Sequence, residues 1–251
     1  MDHPQRTQQL ERLEHGYTAG FRALETVSLL AALGCSLRLA WKLIPTNLTS
    51  VGLLLLALIL SLLAVDFLSG IAHWAGDTWG NLSTPIFGDS FIRSFREHHV
   101  NPRAITQHDF IQANGATAFV TLPILLPLQW VHLPGSPLIF FCVAFLFLDC
   151  VFGILSNQAH LWAHTLHTPT FVTRLQHWHL LISPQHHAVH HVQPHMKYYC
   201  IFLGWMNPFL TSINFFRHLE KVITALTGAI PRKDDLEQIR MFQEGLITDS
   251  R

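Results

Sequence analysis

Charged residues are scarce in this chain, and those present are balanced in sign. Only 13% of the 251 residues are Asp, Glu, Lys or Arg, which is about half the fraction found in a typical soluble domain. Sixteen basic residues match sixteen acidic ones, so no positive excess indicates a nucleic-acid partner. We therefore expect no nucleic acid among its partners, and a length that fits one domain or at most two.

Several motifs of soluble redox and metal proteins are also missing. The four cysteines contain no Cys-x-x-Cys pair, which excludes a zinc ribbon, a cysteine-ligated cluster and a disulfide framework. No Gly-x-Gly occurs, and neither a dinucleotide-binding fingerprint nor a P-loop is present. The first 22 residues lack the features of a signal peptide. A redox function would therefore need electrons from a partner.

Long apolar runs dominate what is present. Hydrophobic residues make up 49% of the chain and concentrate in four runs, at 26–43, 51–71, 116–131 and 138–155. The second run is long enough to cross the hydrocarbon core, and the turn at 45–50 joins it to the first as a transmembrane hairpin. The third run is short and contains Pro123 and Pro127, so it either spans fully or re-enters. We predict an all-α integral membrane protein with about four transmembrane helices.

Four crossings would place both termini, residues 73–115 and everything after residue 157 on one side. The polar segments there carry most of the arginines, among them Arg22, Arg103 and Arg174, whereas the opposite loops hold little beyond Lys42. The positive-inside rule makes the common side cytoplasmic. Lys42 can extend outward to the interface. We predict a multi-pass protein of a bacterial inner membrane or the endoplasmic reticulum, with a cytoplasmic histidine-rich helical cap.

Composition divides the chain into three parts. Residues 1–25 form a polar N-terminal segment, residues 26–235 a membrane-embedded domain, and residues 236–251 a charged C-terminal tail. Within the second part, residues 198–228 mix aromatic and aliphatic side chains with Arg217, Glu220 and Lys221. This mixture predicts an amphipathic segment that lies on the membrane interface.

Histidine is the outlier of the composition, with 18 residues. If Ser183 caps a helix that begins at Pro184, one face of that helix carries His187, His190 and His191. His186 lies on the flank of this face. Neutral imidazoles so close together are ligands that borderline transition metals bind. Surface histidines or a fortuitous metal trap would be the alternative for this segment alone.

Three further groups fall on the same predicted side. Asp66, His73 and Asp77 lie in one helical stripe. Asp66 is inside an apolar run, where an unpaired carboxylate is costly, so it either orients His73 or pairs elsewhere in the bundle. His160 and His164 have the His-x-x-x-His spacing of a metal clamp, but Leu161 stands where a zinc protease has Glu. A metalloprotease is therefore disfavoured.

The remaining group contains His98, His99 and His108. Adjacent residues on a helix point about 100° apart, so His98 and His99 suit a site with two metal ions better than a site with one. The groups together offer about eight to ten imidazoles, too many for one zinc ion. Bis-histidine haem is disfavoured, because it would need histidines inside facing spans, whereas these histidines are predicted at the cytoplasmic ends of the spans. A pair of iron ions fits the count, and iron with open positions performs O₂ chemistry on unactivated C–H bonds.

Four motifs carry a family resemblance over roughly residues 60–235. The segments His73-Trp-Ala-Gly-Asp77, Phe95-Arg-Glu-His-His99, Asn157-Gln-Ala-His-Leu-Trp-Ala-His164 and His186-His-Ala-Val-His-His191 resemble the Kua/CarF lipid desaturase family. That family includes enzymes that form the vinyl ether of plasmalogens and a plastid enzyme that puts a trans-Δ3 double bond into the palmitoyl chain of phosphatidylglycerol. The resemblance implies a lipid desaturase domain with two iron ions (Fe²⁺/Fe³⁺), O₂ as co-substrate and a phospholipid substrate. It also implies electrons from cytochrome b5 or a ferredoxin.

The resemblance also implies which residues form the site. The residues expected as metal ligands and catalytic residues are His73, His98, His99, His160, His164, His187, His190 and His191. His186, His108 and Asp77 are expected either as ligands or as partners that orient ligands. We expect a desaturase that forms a vinyl ether. The alternatives are an acyl-chain desaturase acting on phosphatidylglycerol, a lipid hydroxylase on the same scaffold, and a non-enzymatic histidine-based metal-binding or sensor protein.

Overall fold

The computed structural model describes residues 18–80, 84, 92, 95, 98–99, 102–133, 135–192 and 195–231. These residues form helices and no strand, which confirms the predicted all-α class. In chain order the helices are α1 (Ala19–Lys42), α2 (Leu48–Thr78), a 3₁₀ turn (Ala104–Gln107), α3 (Phe110–Leu128), α4 (Pro137–His164), α5 (Thr170–His177), α6 (Pro184–Ala188), α7 (Met206–Ser212) and α8 (Phe215–Thr227). Most of the predicted polar N-terminal segment and all of the predicted tail lie outside the described residues.

Four helices, α1 to α4, are long and apolar enough to cross a membrane, as predicted. Helix α3 begins at Phe110, several residues before the predicted run, because Asp109 caps it by accepting from the amides of Ile111 and Gln112. Its 19 residues continue through Pro123 and Pro127 and measure about 28 Å at 1.5 Å per residue. That length matches the hydrocarbon core and favours a full span over a re-entrant segment.

The spans pack in the order α1, α3, α4, α2. Helix α1 packs on α3, α3 packs on α4, and α4 packs on α2, so α2 lies mainly against α4 and not against its neighbour in sequence. The core between the first three of these contains Leu39, Ala118, Leu125 and Ala144, none of them more than marginally exposed. This order brings the C-terminal ends of α2 and α4 side by side.

Polar contacts tie α1 to α3 at both ends of the bundle. Arg22 at the start of α1 forms an ion pair with Asp109, with Nη1 and Oδ2 2.6 Å apart. At the other end the Lys42 ammonium donates to the carbonyls of Gln129 and Val131, at 3.1 and 2.5 Å. Lys42 therefore binds carbonyls just beyond the C-terminal end of α3 instead of extending outward as the sequence suggested.

Gly115 permits the close approach of α1 and α3. A Cβ at this position would lie 2.7 Å from Cγ of Glu25 and 3.0 Å from its Cα, so Gly115→Ala must push the helices apart. We expect a loss of about 1–3 kcal/mol of stability, measured by thermal unfolding in detergent. Gly153 on α4 has open space around it, so Gly153→Ala is the matched control and should be neutral or slightly stabilising. Equal midpoints for the two variants would contradict this packing.

Candidate metal centre

Helices α2 and α4 carry histidines near their C-terminal ends. His73 and Asp77 are one turn apart on α2, and His160 and His164 are one turn apart on α4. Because α2 and α4 pack against each other, these pairs meet at one end of the bundle. The side chains of His73 and Asp77 are 0% and 4% exposed.

Helix α6 brings the third group of histidines to the same end. Ser183 caps it, as predicted, because its hydroxyl accepts from the His186 amide at 3.2 Å. The helix ends at Ala188, and the chain turns so that the amide of His190 donates to the carbonyl of His187 at 2.9 Å. His187 and His190 are both fully buried.

Three histidines surround His160. Together the four form what we call the His160 cluster, which consists of His98, His160, His164 and His187. One ligand atom from each lies within 4.8 Å of the others. Nε2 of His160 is 3.1 Å from Nε2 of His98 and 2.9 Å from Nε2 of His187. His191 adjoins this cluster, with its Nε2 3.1 Å from Nε2 of His187.

A second group, the Asp77 cluster, consists of His73, Asp77, His99 and His190, again with all four ligand atoms within 4.8 Å. The Asp77 carboxylate is 3.5 Å from Nε2 of His73, 3.3 Å from Nε2 of His99 and 3.4 Å from Nε2 of His190. His98 and His99 thus enter different clusters, as adjacent positions on a helix predict. The two clusters are neighbours, with the rings of His73 and His160 5.3 Å apart.

The protonation of two imidazoles indicates that a cation belongs in the Asp77 cluster. Nδ1 of His73 is 3.1 Å from the carbonyl of Tyr199, and Nδ1 of His190 is 3.0 Å from the carbonyl of Lys197. Carbonyls only accept, so each Nδ1 carries a proton, and in the neutral imidazole that binds metal each Nε2 is then a bare lone pair. Both lone pairs face the carboxylate of Asp77, and acceptors that face one another repel unless a cation lies between them.

The spacing and the lack of partners in both clusters also fit metal ions. Imidazole nitrogens bound at about 2.0–2.1 Å to one ion are separated by about 2.8–3.4 Å for octahedral or tetrahedral angles. The Nε2 pairs in the His160 cluster lie in this range. Buried atoms without a hydrogen-bond partner in the two clusters include Nε2 of His73, both carboxylate oxygens of Asp77 and Nε2 of His164. This donor set is suited to iron or another borderline transition metal.

Burial keeps the imidazoles of His98, His187 and His191 neutral. Desolvation lowers the pKa of His98 and of His187 well below the usual value, and the neighbouring imidazoles lower it further. Burial also lowers the pKa of His191. Neutral imidazole is the form that binds a metal ion, so these ligands are ready to bind at neutral pH.

Two predicted candidates do not reach either cluster. His186 lies on α6 but contacts other residues than His187 does. Its Nε2 is 3.2 Å from the side-chain amide of Asn207, and its ring lies against Tyr198. His108 ends the 3₁₀ turn and is only half-buried. Neither residue belongs to a group that could hold an ion among the described residues, so the structure gives no support to a ligand role for them.

His195 is a candidate that the sequence interpretation left out. It is 7% exposed, its ring stacks on His99 with centroids 4.9 Å apart, and its Nε2 has no hydrogen-bond partner. Burial lowers its pKa to about 4. It follows His190 by five residues, but its backbone has φ 57°, so reasoning from helical faces could not place it.

Asp66 does not orient His73, which corrects one of the two alternatives considered for it. Its carboxylate accepts from the backbone amides of Leu203, Gly204 and Met206, at 2.8, 2.8 and 2.9 Å. It thereby holds the segment 198–206 against α2. The carbonyl that accepts from His73 belongs to Tyr199 in that segment, so Asp66 acts on the Asp77 cluster only through the backbone.

Asn207 fixes the same segment from its other side. Its side chain accepts from the Cys200 amide at 2.8 Å and donates to the Cys200 carbonyl at 2.9 Å. Ser69 on α2 accepts from the Ile201 amide at 3.2 Å. Buried side chains therefore determine where the carbonyls of this segment point.

A bundle of four apolar helices, with two neighbouring histidine-rich groups at one end that could hold metal ions, defines a helical membrane protein with a candidate metal centre. Residues 62–234 match the sequence profile described as the lipid desaturase domain. The chain belongs to this lipid desaturase family, which confirms the resemblance noted in the sequence.

Curated relatives agree with this assignment. The chain is 41% identical to plasmanylethanolamine desaturase of Myxococcus xanthus, over 92% of this chain and 82% of the relative. It is 44% identical to plasmanylethanolamine desaturase 1 of Mus musculus, over 81% and 80%. It is 36% identical to the chloroplastic fatty acid desaturase 4 of Arabidopsis thaliana, over 66% and 50%. No solved structure matches the chain.

Proposed function

We propose that this protein is an O₂-dependent di-iron desaturase that forms the vinyl ether of plasmalogens from the alkyl chain of an ether phospholipid. The observation that carries the proposal is the pair of adjacent clusters, in which buried nitrogen lone pairs face a carboxylate or one another. The names of the two relatives with the highest identities quoted above support the choice of an ether lipid.

The eight predicted histidines and Asp77 would hold the two ions, with His195 as an additional neighbour of the Asp77 cluster. Iron bound there would supply the O₂ chemistry that breaks unactivated C–H bonds. The overall reaction removes two hydrogens from neighbouring carbons. With O₂, two electrons and two protons it yields an alkene and two waters.

The chain's own residues prepare and protect the centre. The carbonyls of Tyr199 and Lys197 hold the Nδ1 protons of His73 and His190, so both Nε2 lone pairs are aimed before a metal ion binds. Burial of His73, His187 and His190 excludes water from this region. The aliphatic chain of the substrate would lie along the apolar spans, with its reacting carbons below the clusters.

We further propose that the metal centre lies on the cytoplasmic side, in a bacterial inner membrane or in the endoplasmic reticulum. The predicted positive-inside topology supports this orientation. The electrons would come from a one-electron carrier such as cytochrome b5 or a ferredoxin.

Lipid mass spectrometry tests the proposal in a host that makes 1-O-alkyl phospholipids but no plasmalogens. We expect expression of the protein to give a new ether lipid that is two mass units lighter and is cleaved by acid. A variant with both His187→Ala and His190→Ala should give no such lipid. A gain of sixteen mass units would instead indicate hydroxylation, and a new double bond only in acyl chains would indicate an acyl desaturase. Bound zinc or copper without any lipid product would indicate a metal-binding protein.

A further inference from the structure

A surface pocket lies next to the segment 198–206, between Lys197 and the start of α8. It has a volume of about 280 Å³, and the residues on its lining that matter here are Val192, Met196, Lys197, Asn214, Phe216 and Arg217. The backbone carbonyl of Lys197 is the one that accepts from His190. The pocket is therefore separated from a metal ligand by a single layer of residues.

Two aromatic rings connect this pocket to the Asp77 cluster. The ring of Phe216 on the pocket wall is 4.8 Å from the ring of Tyr199. The ring of Tyr199 is in turn 5.1 Å from the ring of His190 and 6.0 Å from that of His73. Tyr199 and Phe216 are 2% and 6% exposed, so the route is dry and fixed by packing.

The mouth of the pocket is cationic and partly apolar. Lys197 and Arg217 line it, and Lys221 lies one turn further along the same face of α8. Glu220 contributes no exposed negative charge, because it is buried, accepts from the indole of Trp74 and pairs with Arg217. Val192 and Met196 are 58% and 42% exposed beside these cations. Arg217 is half-buried, whereas Met196 is exposed, and methionine and arginine around an apolar centre are typical of a protein interface.

We propose that this face, comprising the pocket together with Lys221, is the docking surface for an acidic one-electron carrier protein. The inference rests on the proposed function, because desaturation with O₂ consumes two electrons and the chain has no dinucleotide-binding fingerprint of its own. Each docked carrier is oxidised by one electron and the metal centre is reduced by one, so two visits supply one turnover. Phe216 and Tyr199 provide the through-ring path and are not themselves oxidised.

Charge reversal at Lys221 tests the docking surface. The probes are a reduced acidic ferredoxin and, separately, dithionite with a small mediator, both given to the iron-loaded protein in nanodiscs with substrate lipid. For Lys221→Glu we expect the KM for ferredoxin to rise about fivefold at low ionic strength and less at high salt. The dithionite-driven rate should stay unchanged. Arg174→Glu, an exposed reversal on α5, is the matched control and should leave both rates unchanged.

Phe216→Leu tests the path separately from the docking. We expect a slower reduction of the metal centre at saturating ferredoxin, with an unchanged KM for ferredoxin and only a small decrease in the thermal midpoint. An equal effect of Lys221→Glu and Arg174→Glu on the KM, or no loss of rate in Phe216→Leu, would overturn the proposal. So would a Lys221→Glu effect seen with both reductants and only in discs with anionic lipid, because it would assign the face to lipid headgroups. Failure of the proposed function is distinct, since wild type would then form no alkene with either reductant.

Discussion

His160→Ala should abolish desaturation and reduce the bound metal from two ions towards one. Nε2 of His160 lies about 3 Å from the nitrogens of both His98 and His187, so its removal opens the His160 cluster at its centre. Even the outer partners of metal ligands cost about 10- to 100-fold in affinity or activity, and we expect a loss of at least about a hundredfold here. Metal analysis of the purified protein and lipid mass spectrometry measure the two effects.

For the metal-free protein, in contrast, we expect His160→Ala to cause no loss of stability. Without metal, buried imidazoles whose nitrogens face one another destabilise the fold, so removing one should leave the thermal midpoint unchanged or raise it. His167→Ala is the control, because His167 is exposed just beyond the end of α4 and should retain full activity and metal. A fully active His160→Ala protein, or one with two bound ions, would contradict the assignment of the cluster.

Asp66→Asn should weaken both the fold and the metal centre. Oδ1 of Asp66 accepts from two amides and Oδ2 accepts from the Met206 amide, and asparagine would turn one of these acceptors into a donor. Hydrogen bonds to charged groups contribute about 1.5–3 kcal/mol each, so we expect a loss of about 3 kcal/mol of stability. The carbonyl of Tyr199 would also be released, and metal affinity should fall about 10- to 100-fold.

Asp149→Asn is the comparison for this effect, since Asp149 is the acidic residue on α4. It lies half-buried on α4 and is not a member of either cluster. We expect the Asp149→Asn protein to bind metal as tightly as wild type, measured by a competition titration with a chelator. If Asp66→Asn also binds metal as tightly as wild type, the segment 198–206 does not orient the Asp77 cluster.

The sequence predicted the class of the fold because long apolar runs leave few alternatives in a chain with so little charge. The apolar runs end before α2 and α4 do, but the spacing of the histidines extends both helices, which end at Thr78 and His164. The order in which the four spans pack side by side could not be predicted from the sequence. That order depends on local fits such as Gly115 against Glu25, which no periodicity reveals.

The candidate site was predictable where ligands share a regular helix. The one-turn spacings of His73 with Asp77 and of His160 with His164, together with the cap at Ser183, all form as expected. The sequence could not distinguish His186 from His195, because the chain leaves helical geometry after Ala188. Nor could it assign Asp66 to backbone amides more than 130 residues away, as only the tertiary fold brings them together.

Anomalous diffraction at the iron absorption edge, from crystals of the iron-loaded protein, tests the central claim most directly. We expect two separate peaks, one enclosed by the His160 cluster and one by the Asp77 cluster. A single peak, or peaks that lie outside both groups of ligands, would contradict it.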